Sequence, residues 1–410
     1  MAYSEHDRKI LRTLARRVAE IADLPIMEER RAQWTEHNAL RSKRPMIQLL
    51  PEGSWRELLP ASVLTCETDE TRADEWQLRA RVYTHEHFLD DTVIEKNWSV
   101  PARISNTGWG LETHHHDSTE ARGAWGFDPV IKSAADIKKI CTPEVIYDEA
   151  RTQAELAAKQ ELFGDILPVK FVGINRVDFH LLALYSGWRG LNETLMDFTD
   201  EPEMVHEAMA RLEEGNRSIA EQYAAMNLLR LNNDNTVNGS GGTGYTDELP
   251  APGFNPERVR FCDIWASCES QELAPVSPAM HREFALQYEA RLLEPFGLTA
   301  YGCCEDLTRK LPDVFTLPHI RRISISPWAD VEQCAATMGD RYIYSWKPQP
   351  AHLAMEFDDK MIRDYLRHTL DVTRDCVLEI ILKDTHTCNG HPERFDAWTK
   401  ILQEVIAERG

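Results

Sequence analysis

Two stretches decide the fold: Leu298-Thr299-Ala300-Tyr301-Gly302-Cys303-Cys304-Glu305 and, some 80 residues later, Val377-Leu378-Glu379-Ile380-Ile381-Leu382-Lys383-Asp384-Thr385-His386-Thr387-Cys388. Each is an apolar run of strand length that breaks off into polar and sulfur-bearing residues. Working outward, the same unit recurs. Apolar runs at residues 45–50, 169–174, 229–233, 259–265, 298–301, 322–325, 342–345 and 377–382 make eight predicted strands. Segments with helical spacing lie between the later ones, at 278–293, 331–338, 361–373 and 392–407. Alternation at this interval implies parallel strands joined by right-handed crossovers. Eight such units predict a closed α/β architecture, a (β/α)₈ TIM barrel.

The ends of the chain and one long interval depart from the repeat. In the first 40 residues Ile10, Leu11, Leu14, Val18, Ile21 and Ala22 recur near a period of 3.6. The reading is an N-terminal helical extension over 1–43, ahead of the barrel at 44–410. Residues 52–168 are too long for one crossover and are assigned to insertions near the barrel mouth. They contain a predicted helix near 75–88, an irregular Trp- and Gly-containing run over 98–109, and the cluster His114-His115-His116-Asp117. Three adjacent histidines cannot all face one ion from a regular element, so that cluster is read as a solvated loop. The run Gly239-Ser240-Gly241-Gly242-Thr243-Gly244 leads into Tyr245 and Pro250 rather than a helix, which removes the context of a nucleotide-binding fingerprint.

Composition narrows the function classes. A formal net charge of -21 disfavours nucleic acid, which is held by clustered Lys and Arg. Nothing approaches the 18 or so consecutive apolar residues of a membrane span, and the charged N-terminus does not resemble a signal peptide, so a cytoplasmic protein is expected. Nine scattered cysteines make a poor disulfide framework for a chain of this length, and reduced thiols are the expectation.

In a barrel of this kind the active site lies at the C-terminal ends of the strands. Polar residues there include Asn175, Asp178, Asn233, Asp234, Asn238, Ser267, Glu269, Gln271, Cys303, Cys304, Glu305, Ser326, Lys347, Lys383, Asp384, His386 and Cys388. Thiolate and imidazole suit Zn²⁺, and a catalytic site leaves one position open. Cys303, His386 and Cys388 are the candidate ligands, with Cys304 and Glu305 in reserve; simple packing of a Cys-Cys pair is the alternative. Lys347 and Lys383 each end an apolar run, where an ammonium either pairs with Asp384 or Glu269 or holds an anionic substrate. Trp265, Trp328 and Trp346 are candidates for a flat wall against an aromatic substrate.

From Cys262 onward the residues resemble the uroporphyrinogen decarboxylase superfamily, and within it the corrinoid-linked methyltransferases. The likeness is carried by Glu269-Ser270-Gln271, Val276-Ser277-Pro278, the run Tyr301 to Glu305, Leu311-Pro312-Asp313 and Ile323-Ser324-Ile325-Ser326-Pro327-Trp328. True uroporphyrinogen decarboxylases carry Arg-x-x-Gly-Arg near the N-terminus. Here the comparable stretch from Arg44 to Trp55 lacks that pair of arginines, which disfavours porphyrinogen decarboxylation. In the methyltransferases Cys303 matches the cysteine of a His-x-Cys zinc motif, Tyr301 stands in the place of its histidine, and their later cysteine falls near His386 to Cys388.

The resemblance implies a zinc-dependent methyltransferase, an O-demethylase component. It would move a methyl group from a small, methoxylated aromatic donor to the cobalt of a separate corrinoid protein, since no Asp-x-His-x-x-Gly cobalamin run occurs in this chain. The family's habit of dimerising makes a homodimer a further expectation. Lys383, Asp384 and Glu305 would supply protons or stabilise the leaving oxygen. Tyr301, Asn233, Trp265, Glu269, Trp346 and Lys347 would hold the substrate. Two alternatives stand beside this reading: a metal-independent decarboxylase of a small acid using Lys347 or Lys383 with Asn233, and a non-catalytic barrel that binds a ligand.

Overall fold

The computed structural model describes residues 3–42, 44–116 and 126–408. Its centre is a seven-stranded, all-parallel sheet: β1 (Met46–Leu49), β2 (Asp178–Phe179), β3 (Trp265–Cys268), β4 (Leu298–Tyr301), β5 (Ile320–Ile325), β6 (Ile343–Trp346) and β7 (Val377–Leu382). The order across the sheet is β1-β7-β6-β5-β4-β3-β2. The strands are short and apolar because both faces are covered, as parallel sheets require. Every residue of β7 is buried, including Glu379. Helices 331–338, 359–372 and 393–407 lie where the sequence places them, within two residues. The predicted helix 278–293 is helical throughout, with Arg282–Leu286 wound as a π-helix.

Four sequence expectations are corrected. The run 229–233 forms no strand beyond a single parallel bridge between Ile174 and Leu229. Instead the Asn232 carboxamide imitates a strand neighbour: the Trp265 N–H donates to its Oδ1 (2.9 Å) and its Nδ2 donates to the Trp265 carbonyl (3.0 Å). The run 259–265 begins as a 3₁₀ turn, Phe261–Asp263, because the Asp263 carboxylate captures the Arg260 N–H and guanidinium; the strand starts only at Trp265. Residues 169–173 pair with Trp98–Pro101 in a separate parallel ladder, so 98–109 is partly stranded rather than irregular. His114–His116 form a short strand against Gly126–Asp128, and Asp117 of that cluster lies outside the described residues.

The first 40 residues form two helices, Glu5–Ala22 and Pro25–Asn38, broken where Pro25 opens the second. The second helix reaches the base of the sheet. His37 lies 3.2 Å from Glu379, and Asn38 donates to the carbonyls of Thr243 and Tyr245. The glycine-rich run is thereby threaded into the interior. A Cβ on Gly241 would sit 2.1 Å from the Arg322 side chain, and one on Gly242 would sit 2.6 Å from the Trp34 ring. Among the described residues no helix is long and apolar enough to cross a membrane.

Candidate active site

The C-terminal ends of the parallel strands surround a cavity of about 310 Å³. Glu52 follows β1, Arg176 and His180 flank β2, Glu269 and Gln271 follow β3, Gly302 and Cys303 follow β4, and Lys383 follows β7, while Gly239 and Ser240 close it from the glycine-rich run. The volume is at the small end of ligand pockets. Its walls carry both signs of charge and few large apolar groups.

Cys303 is held by the turn after β4. Gly302 takes a φ of +91°, which glycine adopts without penalty. The Cys303 N–H donates to Glu305 Oε2 (2.8 Å), and Ser324 Oγ donates to the Cys303 carbonyl (2.8 Å). Its Sγ is 3.5 Å from Cys304 Sγ and 3.8 Å from Lys383 Nζ. A hydrogen bond from Cys304 draws the Cys303 thiol well below its ordinary range; Lys383 and the Ser240 hydroxyl add to this, against the opposing effect of burial. Cys304 moves the other way and keeps its proton. Burial alone would depress Lys383, yet the Cys303 thiolate and Asp384, whose Oδ1 is 3.0 Å away, hold its ammonium above the usual lysine value.

Across the cavity His180 Nδ1 lies 2.7 Å from Glu269 Oε1, and Glu269 Oε2 accepts from the Gln271 N–H (3.0 Å). The hydrogen bond to Glu269 raises the His180 pKa and leaves Nε2 as the free ring nitrogen. Glu52 and Asp384 both have positive φ, +47° and +58°, and the Asp384 N–H donates to Glu52 Oε2 (3.0 Å). Two non-glycine residues in the left-handed region joined at one rim concentrate backbone strain beside the cavity. Glu305 is buried behind the Cys303 turn; burial, and then the charge of Glu269, push it up to about 7, and its Oε1 has no partner.

Of the residues nominated from the sequence, the structure brings together Ser267, Glu269, Gln271, Cys303, Cys304, Glu305, Lys383 and Asp384. It places the two further zinc candidates and most of the expected substrate contacts elsewhere. Cys388 is buried with its thiol donating to Glu57 Oε2 (3.1 Å), as part of a cap in which Glu57 also accepts from Thr387 Oγ1 and the Gly390 N–H. His386 is exposed on the loop beyond Lys383. Among the described residues no three His, Cys, Asp or Glu side chains converge as a metal set. The trio Cys303, His386 and Cys388 therefore does not fit a zinc ion, because Cys388 is engaged by Glu57 rather than turned to Cys303.

Tyr301 is buried in the wall, its hydroxyl donating to Glu289 Oε2 (3.1 Å) and lying 2.8 Å from His281 Nε2. Trp265 and Trp346 are fully buried. Trp265 lies under the Arg322 guanidinium and Trp346 against Tyr365, while Trp328 is 69% exposed. Among the described residues no aromatic wall lines the cavity. Asn233 donates to the Leu249 carbonyl. Lys347 is buried below the cavity, donates to the carbonyl and hydroxyl of Ser345, and is pushed down to about 7 by burial.

Four charged or hydroxyl-bearing cavity residues escaped the sequence reading: Glu52, Arg176, His180 and Ser240. His180 stands two residues beyond Asp178, which the strand-end reading did select. Ser240 lay in plain view inside the run rejected as a nucleotide motif.

No family model matches the chain, and no curated protein matches it. Among solved structures it is similar to a methyltransferase from Methanosarcina mazei, at 10% identity and a TM-score of 0.47, over 93% of this chain and 98% of that one. Several ionisable groups converge on this concave mouth, the pattern of a candidate functional site.

Proposed function

We propose that the seven-stranded sheet is the wall of a (β/α)₈-type barrel and that the chain is a methyltransferase whose nucleophile is Cys303. The observation that carries this reading is Cys303 Sγ lining the cavity 3.8 Å from Lys383 Nζ, with Ser240 and the His180–Glu269 pair lining the same cavity. A depressed thiol and a raised imidazole favour coexistence of thiolate and imidazolium near neutrality, the protonation state that methyl transfer from an oxygen donor requires.

The thiolate attacks the methyl carbon in line with the leaving oxygen, so that an S–C bond forms as the C–O bond breaks. The alkoxide or phenoxide takes a proton from His180 Nε2, and Glu269 stabilises the pair throughout. The methyl group then leaves the sulfur for an acceptor, and the returning thiolate is again neutralised by Lys383. A low thiol pKa serves both steps, because it supplies the nucleophile and makes the sulfur a better leaving group. The acceptor implied by the sequence resemblance is the cobalt of a separate corrinoid protein approaching the mouth. The small, polar cavity favours a small methylated donor with hydrogen-bonding groups over a large aromatic one.

The test is incubation with a panel of methyl donors and a reduced corrinoid protein, read by the absorbance change of the corrinoid. Wild type is expected to respond to at least one donor and Cys303→Ser to none. A second reading, decarboxylation of a small acid, is favoured by Arg176 and Lys383 facing one cavity. It predicts that Cys303→Ser keeps its activity, with carbon dioxide as the product.

A further inference from the structure

We infer that Cys303 and Cys304 form a peroxide-reactive pair that closes to a disulfide between adjacent residues. Their sulfurs are 3.5 Å apart, both side chains are half-buried rather than sealed, and Cys303 lines the open cavity. The pair is asymmetric in its surroundings. Lys383 Nζ faces Cys303 at 3.8 Å, while the Cys304 thiol points to Asp384 Oδ2 at 3.5 Å. One sulfur therefore sits beside a cation that favours attack on an oxidant, and the other is a protonated thiol held beside a carboxylate.

The steps balance with a hydroperoxide as the named oxidant. The Cys303 thiolate attacks one peroxide oxygen, the O–O bond breaks, and hydroxide leaves and is protonated to water. Cys303 is then a sulfenic acid. The Cys304 sulfur then attacks Cys303 Sγ, the S–O bond breaks, and the departing hydroxide takes the Cys304 proton and leaves as a second water. Two thiols lose two electrons, and one hydrogen peroxide becomes two waters. Adjacent Cα atoms lie about 3.8 Å apart across a trans peptide, below the roughly 4.4–6.8 Å of ordinary disulfides, so the closed ring is strained and reopens readily with a dithiol. Closure removes the thiolate; the resulting loss of methyl transfer rests on the reading above, whereas formation of the bond does not.

The experiment uses the full chain treated with hydrogen peroxide, alkylated and digested with trypsin. The peptide spanning 292–309 holds both sulfurs and no other cysteine. It is expected to become lighter by two hydrogens and to escape alkylation, with dithiothreitol restoring both labels. In Cys304→Ser the same treatment is expected to leave a sulfenic acid on Cys303, trapped by a cyclic dione. Wild type that stays alkylatable at both positions overturns the proposal. So does wild type in which Cys303 is carried to a sulfinic acid while Cys304 remains free.

Discussion

Replacing Lys383 by methionine removes the cation nearest Cys303 while keeping the length of the side chain. At 3.8 Å the attraction between ammonium and thiolate is about 4 kcal/mol for an effective dielectric constant of about 20, and about 1 kcal/mol in bulk water. With about 1.4 kcal/mol per pKa unit, the substitution raises the Cys303 pKa by roughly 1 to 3. Asp384, which loses its partner at 3.0 Å, acts in the same direction. The assay is the pH dependence of iodoacetamide alkylation, read at Cys303 from fragment ions of the 292–309 peptide. A more basic thiolate is intrinsically more reactive and returns part of the lost rate, so the midpoint of the profile is the informative quantity. Lys383→Met is expected to move that midpoint upward, whereas Lys383→Arg moves it far less. An unchanged midpoint in the methionine variant refutes the assignment of Lys383 as the group that holds the thiolate.

Three other predictions bear on the surroundings of the site. Glu289 is buried and pushed up to about 8 by burial, against about 4.3 in an unfolded chain. Its contribution to stability is fully present below the unfolded value and is lost progressively as pH rises to the folded value of about 8, so denaturant midpoints should fall between about pH 4 and 8 and level off above, and Glu289→Gln should flatten that fall. Cys388→Ser keeps a donor for Glu57; a stability change within about 1 kcal/mol, with unchanged turnover and metal content, is expected, and loss of activity would return Cys388 to the site. Trp346→Phe removes an indole N–H that has no partner and does not reach the cavity. It should leave KM unchanged at a cost of about 1–2 kcal/mol in stability, measured by denaturation and steady-state kinetics.

The later strands were legible because their apolar runs are bounded by polar ends and separated by amphipathic helices, the pattern that marks β4 to β7. The first run, 45–50, was legible in the same way, but between 169 and 265 the pattern misleads. Asn232 replaces a ladder with its own carboxamide, and Asp263 forces a turn where apolar composition suggests a strand; neither substitution of side chain for backbone leaves a periodic trace. The strand-end rule found Cys303, Lys383, Asp384, Glu269 and Glu305, because position along the chain decides which end of a parallel strand faces the mouth. It could not decide side-chain direction. Tyr301 and Trp346 close their strands yet turn into the interior, and Cys388, two residues past His386, is captured by Glu57 from a helix more than 300 residues earlier. His180 and Ser240 reach the cavity from a two-residue strand and a glycine-rich loop, which no local pattern distinguishes from ordinary connections.

The central claim is that Cys303 itself carries the methyl group. Its most direct measurement is the mass of the 292–309 peptide after the protein meets an active methyl donor without any acceptor. The expected result is a peptide heavier by one CH₂, with the added group on Cys303, and return to the original mass when reduced corrinoid protein is supplied. Donor turnover with Cys303 unmodified, or turnover that survives in Cys303→Ser, would contradict it.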